Sequence, residues 1–128
     1  EDGDGEYDST TTYEYDENGW LSMVADSNGY TEEYVYSEDG VLLSEVFTFD
    51  YDGDGIADEI DTYTYTYDEN GWLVEELNSY DYDGDGIADD ISIATYTYDA
   101  DGNILSESYD YDGDGVADDV YNYGSDCE

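Results

Sequence analysis

The sequence predicts an all-β fold, in which antiparallel tandem β-hairpins follow one another as a meander or rod and are joined by acidic loops. Residues alternate with a period of two in segments such as Thr62–Tyr67, where the tyrosines share one pleat face and the threonines share the other. Asn-Gly and Asp-Gly pairs separate these segments, and such pairs are the strongest short-range signal of a hairpin. No segment has the period of a helix.

The elements follow in order along the chain. Strands are predicted near residues 11–17, 20–26, 30–36, 41–50, 57–67, 72–82, 88–98, 103–111 and 117–123. Turns are predicted at Asn18-Gly19, Asn28-Gly29, Asp39-Gly40, Asn70-Gly71 and Asp101-Gly102, where both turn residues must tolerate positive φ. Residues 1–128 are expected to form a single tandem-repeat unit, with hairpin repeats near 11–26, 30–50, 57–82 and 88–111.

The charge of the chain excludes several classes of function. Its 128 residues include 39 Asp and Glu but no Lys, Arg or His, which gives a formal charge of −39. Phosphates and anionic lipids repel such a chain, so we expect no nucleic-acid partner, and without a long apolar run we expect no membrane insertion. The usual general base, amine nucleophile and oxyanion clamp are also missing, so an enzyme is not predicted.

Two motifs repeat along the sequence. The first, Tyr-x-Tyr-Asp/Ser-x-Asn/Asp-Gly-x-Leu/Ile, occupies residues 13–21, 34–42, 65–73 and 96–104. The second, Asp-Tyr-Asp-Gly-Asp-Gly-Ile/Val-Ala-Asp, occupies residues 50–58, 81–89 and 110–118, so that its copies start 31 and 29 residues apart. Repetition at such periods is the signature of a repeat architecture.

The second motif has the spacing of a calcium loop. Carboxylates at positions 1, 3, 5 and 9 and the carbonyl at position 7 form an all-oxygen set that suits Ca²⁺, and the glycine at position 6 permits the sharp bend. We therefore predict about three calcium ions, in loops 50–61, 81–92 and 110–121. The predicted ligands are Asp50, Asp52, Asp54, Ile56 (carbonyl) and Asp58; Asp81, Asp83, Asp85, Ile87 (carbonyl) and Asp89; and Asp110, Asp112, Asp114, Val116 (carbonyl) and Asp118.

Two different positions offer a carboxylate that could close the sites. Position 12, where an EF-hand has a bidentate Glu, is Asp61 in the first loop but Ser92 and Tyr121 in the others. The alternative closing carboxylates follow position 9 directly; they are Glu59, Asp90 and Asp119. The competing interpretation of all three loops is a polar Asp-Gly turn without a metal.

A partial loop at residues 1–8 offers three further carboxylates, Asp2, Asp4 and Asp8. An acidic residue of a neighbouring copy, such as Asp126 or Glu128, could complete it, which would create a fourth calcium site shared between subunits. The alternative explanation is that the chain was cut from a longer array.

Both motifs resemble known repeats. The acidic loops resemble the DxDxDG calcium loops of EF-hands, dockerins and thrombospondin type 3 repeats. The Tyr-x-Tyr-Asp hairpins resemble the YD repeats of Rhs and teneurin proteins, which implies hairpins wound into β shells or rods. The chain departs from that family in the residue after the turn glycine, which is Trp20, Val41, Trp72 or Asn103 instead of the frequent Arg, and in its inserted acidic loops.

These features predict an extracellular or cell-surface structural protein, a calcium-stabilised β-repeat subunit of a filament, surface layer or adhesin stalk that associates with itself. Incomplete ligand sets suit the millimolar calcium found outside cells. The alternative is a carbohydrate-binding surface module in which Trp20 and Trp72 stack on glycans, although cross-strand packing also explains these rings. A soluble calcium buffer is a third interpretation.

Overall fold

The computed structural model describes residues 9–124 as one nine-stranded antiparallel sheet whose strands lie in sequence order. The strands are β1 (Thr11–Tyr15), β2 (Leu21–Asp26), β3 (Tyr30–Tyr36), β4 (Leu42–Phe49), β5 (Glu59–Tyr67), β6 (Leu73–Asp81), β7 (Asp90–Tyr98), β8 (Ile104–Asp110) and β9 (Asp119–Asn122). The predicted all-β hairpin meander is confirmed, and every predicted strand is present. Residues 9–124 contain no helix of the length and hydropathy that a membrane span requires.

The pairing register gives the sheet two chemically different faces. We call one the tyrosine face; it carries aromatic rings interspersed with carboxylates, namely Tyr30, Glu32, Tyr34, Glu45, Phe47, Asp61, Tyr63, Tyr65, Glu76, Tyr80, Tyr96, Glu107 and Tyr109. Its rings meet across strands, as where Tyr63 contacts Phe47 at 5.5 Å and Tyr80 at 6.1 Å between ring centroids, edge to face in both cases. Such pairs each contribute roughly 0.2–1 kcal/mol.

The opposite face, which we call the hydroxyl face, carries threonine, serine and aliphatic side chains. Hydroxyl groups pair across β7 and β8, where the oxygens of Thr95 and Ser108 lie 2.6 Å apart and those of Thr97 and Ser106 also lie 2.6 Å apart. The predicted alternation of Thr62–Tyr67 is confirmed, because the threonines of β5 face this side and its tyrosines face the other.

The described part of the chain has no second layer packed on either face. Each strand contacts only the strands before and after it in sequence. Val24, with 9% of its surface exposed, is the one buried hydrophobic residue among residues 9–124. Cross-strand pairs therefore hold this sheet together in place of a central core, and the architecture extends along one axis, as in other repeat proteins.

The connections alternate between the two ends of the strands. One end, which we call the turn end, carries connections 16–20, 37–41, 68–72 and 99–103. The other, the loop end, carries the short turn 27–29 and the acidic connections 50–58, 82–89 and 111–118. Neighbouring acidic loops are separated by two strands, or about 10 Å. The sheet therefore lines up all three loops at one end.

The turn chemistry differs from the prediction. No residue other than glycine has positive φ among residues 9–124, so the expectation of positive φ at both turn residues is wrong. In the first turn the Gly19 amide donates to the Asp16 carbonyl at 3.0 Å, and the Asp16 amide donates to the Trp20 carbonyl at 2.8 Å. This pattern, with a register shift at Glu14/Tyr15, is a three-residue loop that ends in a left-handed glycine bulge. One glycine per turn is sufficient for it.

A two-residue difference between repeats leaves the faces unchanged. Asp81, the first residue of the second acidic loop, pairs with Ile60. A 31-residue repeat would pair the first residue of the third loop with Ile91, but Asp110 pairs with Ile93, two residues further along β7. This shift accounts for the 29-residue spacing of the last two loops. Because side chains alternate with a period of two, Asp110 remains on the hydroxyl face, as Asp81 does.

Candidate metal centres at the loop end

The first aspartate of each acidic loop organises the loop backbone. The Asp110 Oδ1 atom accepts the Gly113 amide at 2.7 Å, and its Oδ2 atom accepts the Gly115 amide at 2.8 Å. The equivalent bonds at Asp50 measure 2.7 and 2.9 Å. Asp81 and Asp110 are buried, with 6% and 7% of their surface exposed. The loop backbone is therefore wrapped around the carboxylate of its first aspartate.

The aspartate at position 9 closes the loop. The Asp58 Oδ2 atom accepts the Tyr51 amide at 2.7 Å, while the Asp58 amide donates to the Phe49 carbonyl at 2.7 Å. The bonds to Asp89 and Asp118 in the other loops are the same within 0.1 Å. Positions 1 and 9 thus bring the two ends of each loop together through their own side chains.

Positions 3 and 5 shape the middle of the loop. The Asp52 Oδ1 atom accepts the Asp54 amide at 3.1 Å, and the Asp54 Oδ1 atom accepts the Ile56 amide at 2.8 Å. A carboxylate has about four lone-pair sites on its two oxygens, so each side chain retains acceptor capacity after these bonds. That capacity is available to a cation.

In each loop, three carboxylates converge. One oxygen from each member lies within 4.8 Å of the others in three triads: Asp50, Asp52 and Asp58; Asp81, Asp83 and Asp85; and Asp110, Asp112 and Asp118. The remaining predicted carboxylates, Asp54, Asp89 and Asp114, belong to the same loops but lie outside these triads. An all-oxygen arrangement of this kind suits a hard divalent cation such as Ca²⁺.

In the second and third loops, repulsion between carboxylates acts most strongly on the aspartate at position 3. Burial opposes ionisation of Asp81, but the backbone amides of its own loop outweigh it and lower the pKa of this carboxyl, and the same holds at Asp110. At Asp83 the Asp85 amide favours the anion, yet the charges of the neighbouring loop carboxylates dominate and raise the pKa, as they also do at Asp112. A bound cation would relieve this repulsion.

The predicted closing carboxylates lie on the other face of the sheet. Glu59 and Asp61 flank Ile60, whose partner Asp81 is on the hydroxyl face, so the two acids face the tyrosine side. The Glu59 Oε2 atom accepts the Tyr51 hydroxyl at 2.5 Å, and the Asp61 Oδ1 atom is buried without a hydrogen-bond partner. The equivalent acids Asp90 and Asp119 pair with Tyr80 and Tyr109 on the same face. The structure does not bring any of them into a triad.

Other predicted groups have different placements. The position-7 side chains of Ile56, Ile87 and Val116 are exposed by 67%, 70% and 68%, so any role in a metal site would be through their backbone carbonyls. The partial site of Asp2, Asp4 and Asp8 lies outside the described residues, as do its suggested partners Asp126 and Glu128.

Sequence reasoning missed the contact between neighbouring loops. A Cβ atom built on Gly84 would lie 1.9 Å from the Ala57 carbonyl oxygen, so the second loop packs directly on the backbone of the first. Likewise, the Asp50 amide donates to the Gly29 carbonyl at 2.8 Å, which joins the first loop to the turn before it. The repeated glycine at position 4 was the available signal, because a close backbone approach requires it.

Both tryptophans lie at the turn end and pack on the next hairpin. The Trp20 ring covers Gly40 and contacts Tyr36 at 5.6 Å between ring centroids. Trp72 covers Gly102 and contacts Tyr98 at 5.3 Å. Each indole therefore joins two successive turns through packing contacts.

Comparison with known proteins identifies one hairpin. A family model described as a MORN repeat variant matches residues 62–84, which span most of β5, all of β6 and the start of the second acidic loop. No curated protein matches this sequence. MORN repeats are β-hairpin repeats, so the match and the meander agree that the chain is built of tandem β-hairpins.

Proposed function

We propose that this protein is a calcium-stabilised structural β-repeat of the cell exterior. The observation that supports it is the convergence of three carboxylates in each of three equivalent loops, all at one end of a single sheet. The donors are all oxygens, which favours Ca²⁺ over transition metals, and a set rich in protein carboxylates favours Ca²⁺ over Mg²⁺. About three ions would bind, one to a loop.

The expected affinity favours an extracellular location. With Glu59, Asp61, Asp90 and Asp119 on the far face, each site has few carboxylates, and sites with few charged ligands bind Ca²⁺ weakly. Extracellular calcium modules work at Kd values of about 10⁻⁴–10⁻³ M. At ten times its Kd, each ion would add about 1.4 kcal/mol to the free energy of unfolding.

In this proposal the hairpins are YD-type repeats that carry inserted calcium loops. The support is the role of the aspartate in the Tyr-Asp pair: the Asp16 Oδ1 atom accepts the amides of Asn18 and Trp20 at 2.8 and 2.9 Å. The same bonds recur at Asp68 and Asp99. The tyrosine before Asp99 is Tyr98, whose ring contacts Trp72 at 5.3 Å between centroids, so in this copy the dipeptide joins strand packing to turn closure.

The structural role rests on the one-dimensional architecture. A sheet in which each strand contacts only its sequence neighbours can be lengthened without changing its packing, as a filament, surface layer or adhesin stalk requires. Self-association is supported by exposed aliphatic side chains at position 7 of every loop, Ile56, Ile87 and Val116. No catalytic step is proposed, since the chain has no His, Lys or Arg.

Far-UV circular dichroism during a calcium titration of chelated protein, with light scattering on the same sample, tests this proposal. We expect the β signal to rise cooperatively with Ca²⁺, and scattering to rise with it. Identical spectra together with identical urea denaturation midpoints with and without calcium would refute the metal sites. A β signal that rises without scattering would refute self-assembly and leave a monomeric calcium-stabilised rod.

A matched pair of variants separates the sites from general charge effects. The triple variant Asp52→Asn, Asp83→Asn, Asp112→Asn removes one carboxylate from each triad, and we expect it to lose the calcium response. The control Glu17→Gln, Glu38→Gln, Glu69→Gln removes the same number of charges from exposed positions at the turn end. The control should respond to calcium as the unmodified protein does.

A further inference from the structure

A groove of about 220 Å³ interrupts the tyrosine face between β6 and β8. Its lining comprises Glu76, Asn78, Ser92, Ile93, Ala94, Tyr96, Tyr109 and Tyr111. Ala94 pairs with Glu76 on one side and Tyr109 on the other, so it forms the floor between a carboxylate and an aromatic ring. None of the lining residues belongs to a carboxylate triad.

The groove exists because one ring of the ladder is missing. Tyr63 occupies the position in the preceding repeat that is equivalent to Ala94, and its ring fills the space between Phe47 and Tyr80. At Ala94 a methyl group replaces that ring. Beside it, Tyr109 and Tyr111 stack at 6.1 Å between ring centroids with planes 11° apart, which gives the groove a continuous aromatic wall.

The electrostatics of the groove favour a cationic ligand. The faces of tyrosine rings carry negative potential, and Glu76 is among the residues that line the groove. Burial, followed by the charges of Glu76 and Glu107, raises the pKa of Tyr96, which reflects the same negative environment. No Lys, Arg or His exists in the sequence, so no side chain of this protein can neutralise the site.

An unsatisfied acceptor in the groove selects the kind of cation. The Asn78 Oδ1 atom is buried and has no hydrogen-bond partner. A buried acceptor without a hydrogen bond costs free energy. A ligand that brings an N–H donor removes this cost and therefore binds more tightly than a ligand without one. A primary ammonium has three such donors and an alkyl chain that packs on aromatic rings.

We propose that this groove binds an alkylammonium group, the chemistry of a lysine side chain or of a small primary amine. The ammonium donates to Asn78 Oδ1 and pairs with Glu76, while its methylene groups lie over Ala94 between the rings of Tyr96 and Tyr109. The ligand comes from another molecule. Tyr111 belongs to the third acidic loop, but the groove shares no carboxylate with the proposed calcium triads, so loss of calcium binding and loss of amine binding can be measured separately.

Nuclear magnetic resonance of the isotope-labelled full chain, saturated with Ca²⁺ at about 0.15 M salt, tests the proposal against general counterion binding. Titration with n-butylammonium should give saturable shifts at the Asn78 side-chain amide and the Ala94 backbone amide. Tetramethylammonium has no N–H group and should bind about tenfold more weakly. Equal binding of the two cations would overturn the assignment of Asn78.

Two variants sharpen this test. Ala94→Tyr restores the ring found at the equivalent position of the preceding repeat, so it should fold and should weaken butylammonium binding by about tenfold or more. Ala25→Tyr makes the same change on the hydroxyl face and should leave binding unchanged. Binding that survives Ala94→Tyr, or shifts confined to the acidic loops, would show a counterion only and would overturn the proposal.

A comparison of amines identifies the source of the ligand. Nα-acetyl-lysine methylamide presents the ammonium as a protein would, whereas n-butylammonium presents it as a free amine. Tighter binding of the lysine derivative would assign the groove to a partner protein, and tighter binding of butylammonium would assign it to a small amine. Failure of both to saturate would overturn the proposal.

Discussion

The two ends of the sheet reverse the chain by different means. At the turn end a single Asp or Ser oxygen caps each turn, and the indoles of Trp20 and Trp72 cover the glycines of the following hairpins. In each acidic loop at the loop end, three carboxylates share the reversal. Backbone hydrogen bonds lower the pKa of the turn aspartate Asp68, whereas neighbouring charges raise the pKa of the loop aspartate Asp83. A lone carboxylate is satisfied by backbone amides, whereas the carboxylates of a triad also repel one another, which is the repulsion that the proposed calcium ion would relieve.

The largest expected effect comes from calcium itself. Saturating all three loops at ten times their Kd should raise the free energy of unfolding by about 4 kcal/mol, because only the folded loops gather the ligands. Urea denaturation in calcium and in chelator measures the difference. Sodium chloride at matched ionic strength should stabilise less, since it only screens repulsion. Equal stabilisation by both salts would contradict site binding.

A glycine pair at the loop end should give the next largest effect. Gly84→Ala forces a Cβ against the Ala57 carbonyl and should cost about 3 kcal/mol or more. Gly53 occupies the same motif position with similar φ but has no neighbour within 4 Å, so Gly53→Ala should cost only about 1 kcal/mol. Urea denaturation in calcium measures both, and equal losses would contradict the stacking of adjacent loops.

Trp72→Ala tests the turn end. The indole is partly exposed, so its removal should cost about 2 kcal/mol, below the range for a fully buried tryptophan. The loss should be the same in calcium and in chelator, because the ring contacts Gly102 and Tyr98 far from the triads. Parallel denaturation curves in the two buffers measure it. A loss that appears only in calcium would mean that the two ends are coupled.

The smallest effect is the pH dependence of a turn. Hydrogen bonds from the Asn103 side chain and from backbone amides lower the pKa of Asp99, so its charge stabilises the folded state above the ordinary aspartate pKa. That contribution disappears as pH falls through the lowered folded-state value. The melting temperature of the unmodified protein should therefore be higher than that of Asp99→Asn at neutral pH. In strong acid the two melting temperatures should be equal. A difference that persists in acid would contradict a charge-based cap.

Local patterns predicted much of this molecule. Period-two alternation located each strand to within two residues at either end, because it reports pleat geometry directly. The spacing of the acidic motif put Asp50, Asp52 and Asp58 in one loop, where the structure brings their carboxylates together. The turn type was not predicted, since Asn18-Gly19 suits more than one turn, and the Asp16 cap decides between them.

The sequence by itself determined the strands, the alternation of tyrosine and threonine faces, and the loops, because each depends on residues close together along the chain. The tertiary structure decided which of these elements and side chains are neighbours in space. Strand order put every acidic loop at one end, the pleat directed Glu59 and Asp61 away from the triads, and the missing ring at Ala94 opened a groove. These outcomes depend on pairing register between strands, which is a long-range property that no local pattern contains.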